Sequence, residues 1–294
     1  MKEEIGGMVK RTGVFYHETI GIYHDPLAMS VREGFEAIKR EGLLEIPNII
    51  LFEAEAIPEG ILLKTHTTKM VNQVKKTGHY EESLRSVGGT LRASEKILEG
   101  EIDNALVFIG DGGHHSYRDS FWGGCYFNHT AVTINYLREK LGVRRFAIVD
   151  TDTHHADGTR DFFRKDKDVL HICFCHTNHS DKEYNKFDIA VPYGISDEEY
   201  LKMVKREMPK VVEFKPELLY WVCGNDTHLD SYGLRSLTEK CYPNLTRIVK
   251  ETAEKACEGR LVVKIGCNCP AYVSEYITPR IVDLLAETGK YKDY

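Results

Sequence analysis

With 294 residues, 42% hydrophobic side chains and a net charge of −6, the chain has enough apolar material for a substantial core. Its acidic balance argues against a general nucleic-acid or anionic-membrane binder. No apolar run approaches the roughly 20 residues that span a bilayer, and the charged start "MKEEIGGMVK" lacks an apolar signal core, which reads as a cytoplasmic protein.

In chain order, short apolar runs predict strands at 13–17, 48–54, 105–110, 145–152, 169–174, 218–224 and 261–266. Most are continuously apolar, as in strands covered on both faces. Between them, helical spacing predicts helices near 28–42, 67–76, 80–99, 127–141, 197–213, 235–258 and 271–288. In the first, Val31, Phe35, Ile38 and Leu43 recur at near-helical intervals. The segment "SDEEY" at 196–200 offers an N-cap Ser followed by acids in the first turn. This alternation predicts an α/β fold, three layers α/β/α around a central, mostly parallel sheet. No linker or repeat divides the chain, so one domain over 1–294 is expected. The stretches 111–126 and 175–196 read as long irregular loops, which in compact domains are often functional.

Eight cysteines include two Cys-x-Cys pairs, Cys173/Cys175 and Cys267/Cys269, and no Cys-x-x-Cys. Residues i and i+2 of a strand share a face, so either pair could bind metal or oxidise. The plainer reading is reduced thiols packed in strand ends.

Sites in open parallel sheets form at the carboxyl ends of strands. Four predicted strands lead into ionisable loops. These are Asp111-Gly-Gly-His114-His115, then Asp150, Asp152, His154, His155 and Asp157, then Gly224-Asn225-Asp226-Thr227-His228, then Gly266 to Tyr272. Taken singly, a tandem His reads as a solvated turn, and Asp226 as a helix cap. Collected on one sheet edge, they read as a site. Asp152 and His154 offer an oxygen and an imidazole nitrogen from one strand end. Asp226 would complete three ligands, leaving a position open as in catalytic metal centres. His114 and His115 suit proton transfer, with Asp150 and Asp157 available to orient them. Asp111 and His228 read as structural.

These residues resemble the histone deacetylase superfamily, which includes acetylpolyamine amidohydrolases and acetoin-utilisation proteins. The family's "D-x-D-x-H-H-G-[ND]-G-T" motif is nearly matched by "DTDTHHADGT" at 150–159. Its tandem His after Gly is matched at Gly113-His114-His115, and its third-ligand loop at Gly224-Asn225-Asp226. Its "G-F-C/Y-x-x-N" segment is echoed from Gly123 to Asn128. The resemblance covers most of the chain. It implies a deacetylase-like, metal-dependent amidohydrolase in which a metal-activated water attacks the amide carbonyl of an acyl-amine. Asp152, His154 and Asp226 would hold Zn²⁺, with Fe²⁺ as the alternative. Asp150 would orient His114, and Asp157 would orient His115. It also implies a potassium ion beside the Asp150–His154 loop, where Cys173 replaces the family's Ser.

Three loops depart from the pattern. The Gly-rich loop carrying the family's carbonyl-polarising Tyr reads "IGCNCPAY", with Tyr272 about two residues late. The aromatic wall of the substrate slot falls at Gly124, which implies a wider slot or one filled by Phe121 or Trp122. The Pro-Gly-Thr-Gly loop is replaced by "HSDKEYNKFD". The expected substrate is therefore an acyl-amine in a small molecule or peptide: acyl-lysine, an acylpolyamine or a small N-acyl metabolite. No nucleic-acid or membrane partner is expected, while a homo-oligomer fits the sequence. Two alternatives stand beside this reading. One is a binuclear manganese ureohydrolase of the arginase type, disfavoured by Ala156 and by Asp226-x-His228. The other is a catalytically weak acyl-binding module.

Overall fold

The computed structural model describes residues 9–21, 30–233, 235–266 and 268–292. The start of the helix expected from 28, the thiol of Cys267 and the two ends of the expected 1–294 domain lie outside the described residues. Among the described residues, nine strands form one sheet: β1 (Thr12–Tyr16), β2 (Ile49–Glu53), β3 (Asn104–Phe108), β4 (Phe146–Asp150), β5 (Val169–Cys175), β6 (His179–Asp181), β7 (Lys186–Ala190), β8 (Leu218–Cys223) and β9 (Leu261–Ile265). Their order is β2-β1-β3-β9-β8-β4-β5-β7-β6. Among the described residues, only the β6–β7 pair is antiparallel.

Among the described residues, the α-helices are α1 (Val31–Arg40), α2 (Glu59–Leu62), α3 (Thr68–Val74), α4 (Tyr80–Leu98), α5 (His129–Leu141), α6 (Asp157–Phe163), α7 (Asp197–Glu207), α8 (Pro209–Phe214), α9 (Cys241–Cys257) and α10 (Ala271–Ala286). Alternate residues along each strand face opposite ways, which sorts the helices into layers. Ala147, Val149, Leu219 and Trp221 share an apolar layer with residues of α1, α7, α8, α9 and α10. Phe146, Ile148, Leu218 and Tyr220 share the opposite layer with residues of α4, α5 and α6. The three-layer α/β/α fold is therefore present, and both faces of the central strands are dry.

Two expectations change. The stretch 175–196 is not wholly irregular, because it contains β6 and β7. Its pattern hid the strand: β7 reads Lys-Phe-Asp-Ile-Ala, with charges at two buried positions. Lys186 is tolerated there because its ammonium donates to three backbone carbonyls, those of Asp166, Val169 and Tyr184. The helix expected over 197–213 is two helices, separated at Met208, with Pro209 opening the second. Proline has no N–H to continue the ladder of the first helix, but is well placed in a first turn. The capping box at Ser196 and Glu199 starts α7 where the acidic pattern places it.

Candidate active site

Because β3, β9, β8 and β4 are parallel neighbours, the loops leaving their carboxyl ends meet. The loop after β4 carries Asp152 and His154, and the short 3₁₀ turn after β8 carries Asp226. Their contact requires Gly224: a Cβ there would lie 2.2 Å from the Asp152 Cα, far inside contact distance. Gly158 has a similar place at the start of α6, where a Cβ would lie 2.7 Å from the His115 carbonyl carbon. These two close approaches bring three loops to one point.

One ligand atom each from Asp152, His154 and Asp226 lies within 4.8 Å of the others. His154 Nδ1 is 2.8 Å from Asp152 Oδ1 and 3.1 Å from Asp226 Oδ2. Asp226 is fully buried; its Oδ1 accepts from the Thr153 N–H at 3.2 Å, while its Oδ2 faces only the His154 imidazole, outside strict hydrogen-bond geometry. A buried carboxylate oxygen left in this state is costly unless a cation meets it. The donor set therefore fits a divalent metal ion.

The charges respond to this crowding. Hydrogen bonding to Asp152 and then Asp226 raises His154 to about 10, against burial. Burial raises Asp226 to about 6, and the Asp152 charge adds to it. For Asp152, burial opposes ionisation, but the His114 charge and the His154 hydrogen bond outweigh it, so its carboxyl stays below the usual range. The two carboxylates thus favour positive charge at the point between them.

His114 and His115 lie beside this cluster as two separate dyads. His114 Nδ1 is 3.0 Å from Asp150 Oδ2, and its Nε2 is 3.8 Å from Asp152 Oδ1. His115 Nδ1 is 2.8 Å from Asp157 Oδ1. Both imidazoles are buried. Their tendencies diverge: burial disfavours the charge on each, but at His114 the Asp152 and Asp150 charges win and raise it to about 9. At His115 burial wins over the Asp157 bond and lowers it.

The His loop is held from behind. Asn128 Nδ2 donates to the Ser116 carbonyl at 3.2 Å and to Thr159 Oγ1 at 3.1 Å. The buried His66 accepts from the Asn128 N–H at 3.1 Å, and its Nδ1 lies 2.8 Å from the Tyr117 carbonyl. Sequence reasoning does not single out His66, since a lone His carries no pattern. Asp111 is buried 3.0 Å from His129 Nε2, and the buried His228 accepts from the Asp230 N–H at 3.1 Å.

The rim differs from expectation. Phe121 packs beside Tyr126 against the α3–α5 side of the core. Trp122 instead covers His115, with ring centroids 3.9 Å apart, and its indole N–H donates to Asp157 Oδ2 at 3.1 Å. Tyr272 is 50% exposed, and its hydroxyl donates to the Asp230 carboxylate. That bond raises Tyr272 to about 12. Sequence reasoning missed Tyr232. Its ring centroid lies 5.7 Å from that of His154, and its hydroxyl accepts from Asn268 Nδ2 at 3.2 Å. Burial, then the Asp226 and Asp152 charges, keep that hydroxyl protonated. The one available signal was its position six residues after Asp226, inside the loop that delivers the third ligand. Gly233, pressed against the Asp226 carbonyl and Thr153, folds this loop back over the site.

Comparison with known proteins gives a consistent pattern. The histone deacetylase domain signature matches residues 54–267. A probable deacetylase of Archaeoglobus fulgidus is 30% identical over 85% of this chain and 79% of its own length. A histone deacetylase-like amidohydrolase of Pseudomonas aeruginosa is 30% identical over 63% of this chain and 53% of its own. The acetoin utilization protein AcuC of Staphylococcus xylosus is 29% identical over 63% of this chain and 51% of its own. The chain thus spans about half the length of the latter two relatives. Among the described residues, no helix is long and apolar enough to cross a membrane.

Proposed function

From a chain that belongs to the histone deacetylase family, we propose a metal-dependent amidohydrolase that removes an acyl group, acetyl foremost, from an amine. The observation that carries this reading is the convergence of Asp152, His154 and Asp226 on one point beside two carboxylate-anchored imidazoles. Zn²⁺ is the proposed ion, with Fe²⁺ as the alternative, since two oxygens and one nitrogen suit either. Such an ion supplies Lewis-acid polarisation of the acyl carbonyl and makes water acidic at neutral pH.

The chain's own groups do the rest. Each His of the pair has Nδ1 turned to a carboxylate, which fixes its tautomer and leaves Nε2 for proton transfer. In this proposal the pair takes the proton of the attacking water and delivers one to the leaving amine. Asp157 is itself gripped by Trp122, whose half-exposed ring forms one wall of the approach to His115. A hydroxyl donor to the developing oxyanion is assigned to Tyr232 rather than Tyr272, because Tyr232 sits beside His154 while the Tyr272 hydroxyl is engaged by Asp230. The potassium ion implied by resemblance would meet the Cys173 thiol instead of a hydroxyl, a poor match for a hard cation. The proposed substrates are acyl-lysine, acylpolyamine or small N-acyl metabolites.

The test is a panel of short- and long-chain acylated amines with zinc-loaded protein. Amine release is expected, and Tyr232→Phe should reduce kcat by about 10²-fold, the scale of losing one oxyanion donor. Tyr272→Phe should change kcat by less than about threefold, since its hydroxyl is assigned no contact with the reacting atoms. Binding without turnover across the panel would replace the hydrolase by an acyl-binding module. Two bridged Mn²⁺ per chain would replace it by a ureohydrolase.

A further inference from the structure

Directly behind the 150–157 loop lies a second set of ligands that the proposed reaction does not use. We propose that His155, Cys173, Cys175 and Asp188 form a separate site for a thiophilic divalent cation, Zn²⁺ or Fe²⁺, on the opposite side of the loop from Asp152, His154 and Asp226. The inference stands on geometry alone and does not depend on the deacylase reading.

The sheet register builds the site. Cys173 and Cys175 are i and i+2 on β5, so their thiols share a face. Asp188 of β7 is the parallel partner of Cys173, which brings its carboxylate alongside. His155, next to the proposed ligand His154, turns its ring the other way. Its Nδ1 lies 3.7 Å from Cys175 Sγ and 3.5 Å from Asp188 Oδ1. One donor atom from each of the four residues lies within 4.8 Å of the others. Tetrahedral zinc with bonds of about 2.0–2.3 Å sets its ligands about 3.3–3.8 Å apart, so these separations need only small closure. Both thiols and Asp188 are buried, and His155 is partly exposed, which leaves a route for an ion to enter.

The surroundings also match a metal site. Asp188 receives two N–H bonds from the buried Arg160, at 2.6 and 3.1 Å, and Arg160 Nε donates to His171 Nδ1 at 3.3 Å. An outer partner of this kind fixes a ligating carboxylate while leaving lone pairs for a cation. Loading balances charge: two thiol protons leave to solvent as a dication arrives. Two thiolates and one carboxylate then face one dication and one guanidinium. Soft thiolate donors select zinc or iron over alkali or alkaline-earth ions. The site also holds the catalytic loop. As a thiol, Cys173 Sγ accepts from the Ala156 N–H at 3.5 Å and donates to the His154 carbonyl at 3.7 Å; as a metal-bound thiolate it would keep the first bond and give up the second, so an ion here would hold the backbone at Ala156, beside His155.

The test is anaerobic Co²⁺ loading of the full chain, read by metal count and by near-ultraviolet thiolate-to-cobalt charge transfer. Asp152, His154 and Asp226 contain no sulfur and give no such band. Wild type is expected to bind two ions per chain with the band. Asp226→Asn should bind one and keep it. The Cys173→Ser/Cys175→Ser double variant should bind one and lose it. X-ray absorption on zinc-loaded Asp226→Asn needs no cysteine variant to fold, and should show sulfur at about 2.3 Å. A wild-type cobalt protein without the band, a band that survives the double variant, or a zinc shell with nitrogen and oxygen only would each overturn the proposal. Two ions persisting in Asp226→Asn, together with the band, would sustain this site while removing Asp226 as a ligand of the other.

Discussion

The two sides of the loop from Asp150 to Asp157 teach different lessons about one short peptide. On the front, Asp152, His154 and Asp226 offer hard oxygen and nitrogen donors beside a partly exposed rim, with His154 open to solvent on one side. On the back, His155, Cys173, Cys175 and Asp188 offer two sulfurs, an oxygen and a nitrogen in a mostly buried pocket. Three protein ligands leave a position for substrate, whereas four close the coordination sphere. Adjacent histidines, 154 and 155, thus join different clusters, one proposed for reaction and one proposed for structure.

The sharpest way to break the contrast is to remove proton transfer without touching either ligand set. His115→Ala is expected to leave metal content unchanged and to lower turnover by two or more orders of magnitude. Full activity in that variant would remove the proton-transfer role from the front side.

The second prediction concerns how the front is anchored. Burial lowers His66 to about 4, while an unfolded His titrates near 6.5. Between those values the unfolded chain binds more protons than the folded one, so stability falls as pH drops from 6.5 to 4. The full span is about 3 kcal/mol. His66→Gln should flatten this part of the stability–pH curve in urea titrations, at some cost in stability at neutral pH. An unchanged slope would show that His66 does not couple folding to acid.

The back side predicts a gain from metal that persists when the front site is disabled. In Asp226→Asn, zinc at about 100 times its dissociation constant should raise unfolding free energy by about 2.7 kcal/mol. In the double cysteine variant carrying Asp226→Asn as well, zinc should add nothing. Equal stabilisation in both would place the ion elsewhere.

The smallest expected effect lies at the rim. Trp122→Ala removes one hydrogen bond to Asp157 and the ring over His115, and should lower kcat/KM by about fivefold, or about 1 kcal/mol. A change larger in KM than in kcat would mark Trp122 as a substrate wall more than an anchor of Asp157.

Much of this was legible in the sequence because burial writes itself as apolar runs. The seven anticipated strands all occur, and the ionisable loops at their carboxyl ends meet because the strands are parallel neighbours. The hidden features had specific causes. β7 carries Lys186 and Asp188 at buried positions, so its pattern reads as a surface loop, and the fourth back-side ligand went unseen. Tyr232 lies in a loop with no periodicity, whose course is set by the close packing of Gly233 on Asp226 and Thr153. α6 is only seven residues long and begins inside the ligand motif, so its helical start was masked by its chemistry.

The most direct measurement is the metal content of the folded full chain with Asp152 and Asp226 both replaced by Asn, compared with wild type after identical zinc loading and desalting. One ion fewer per chain, with the circular dichroism spectrum retained, is the predicted result. An unchanged count would contradict the front-side ligand assignment on which the proposed chemistry rests.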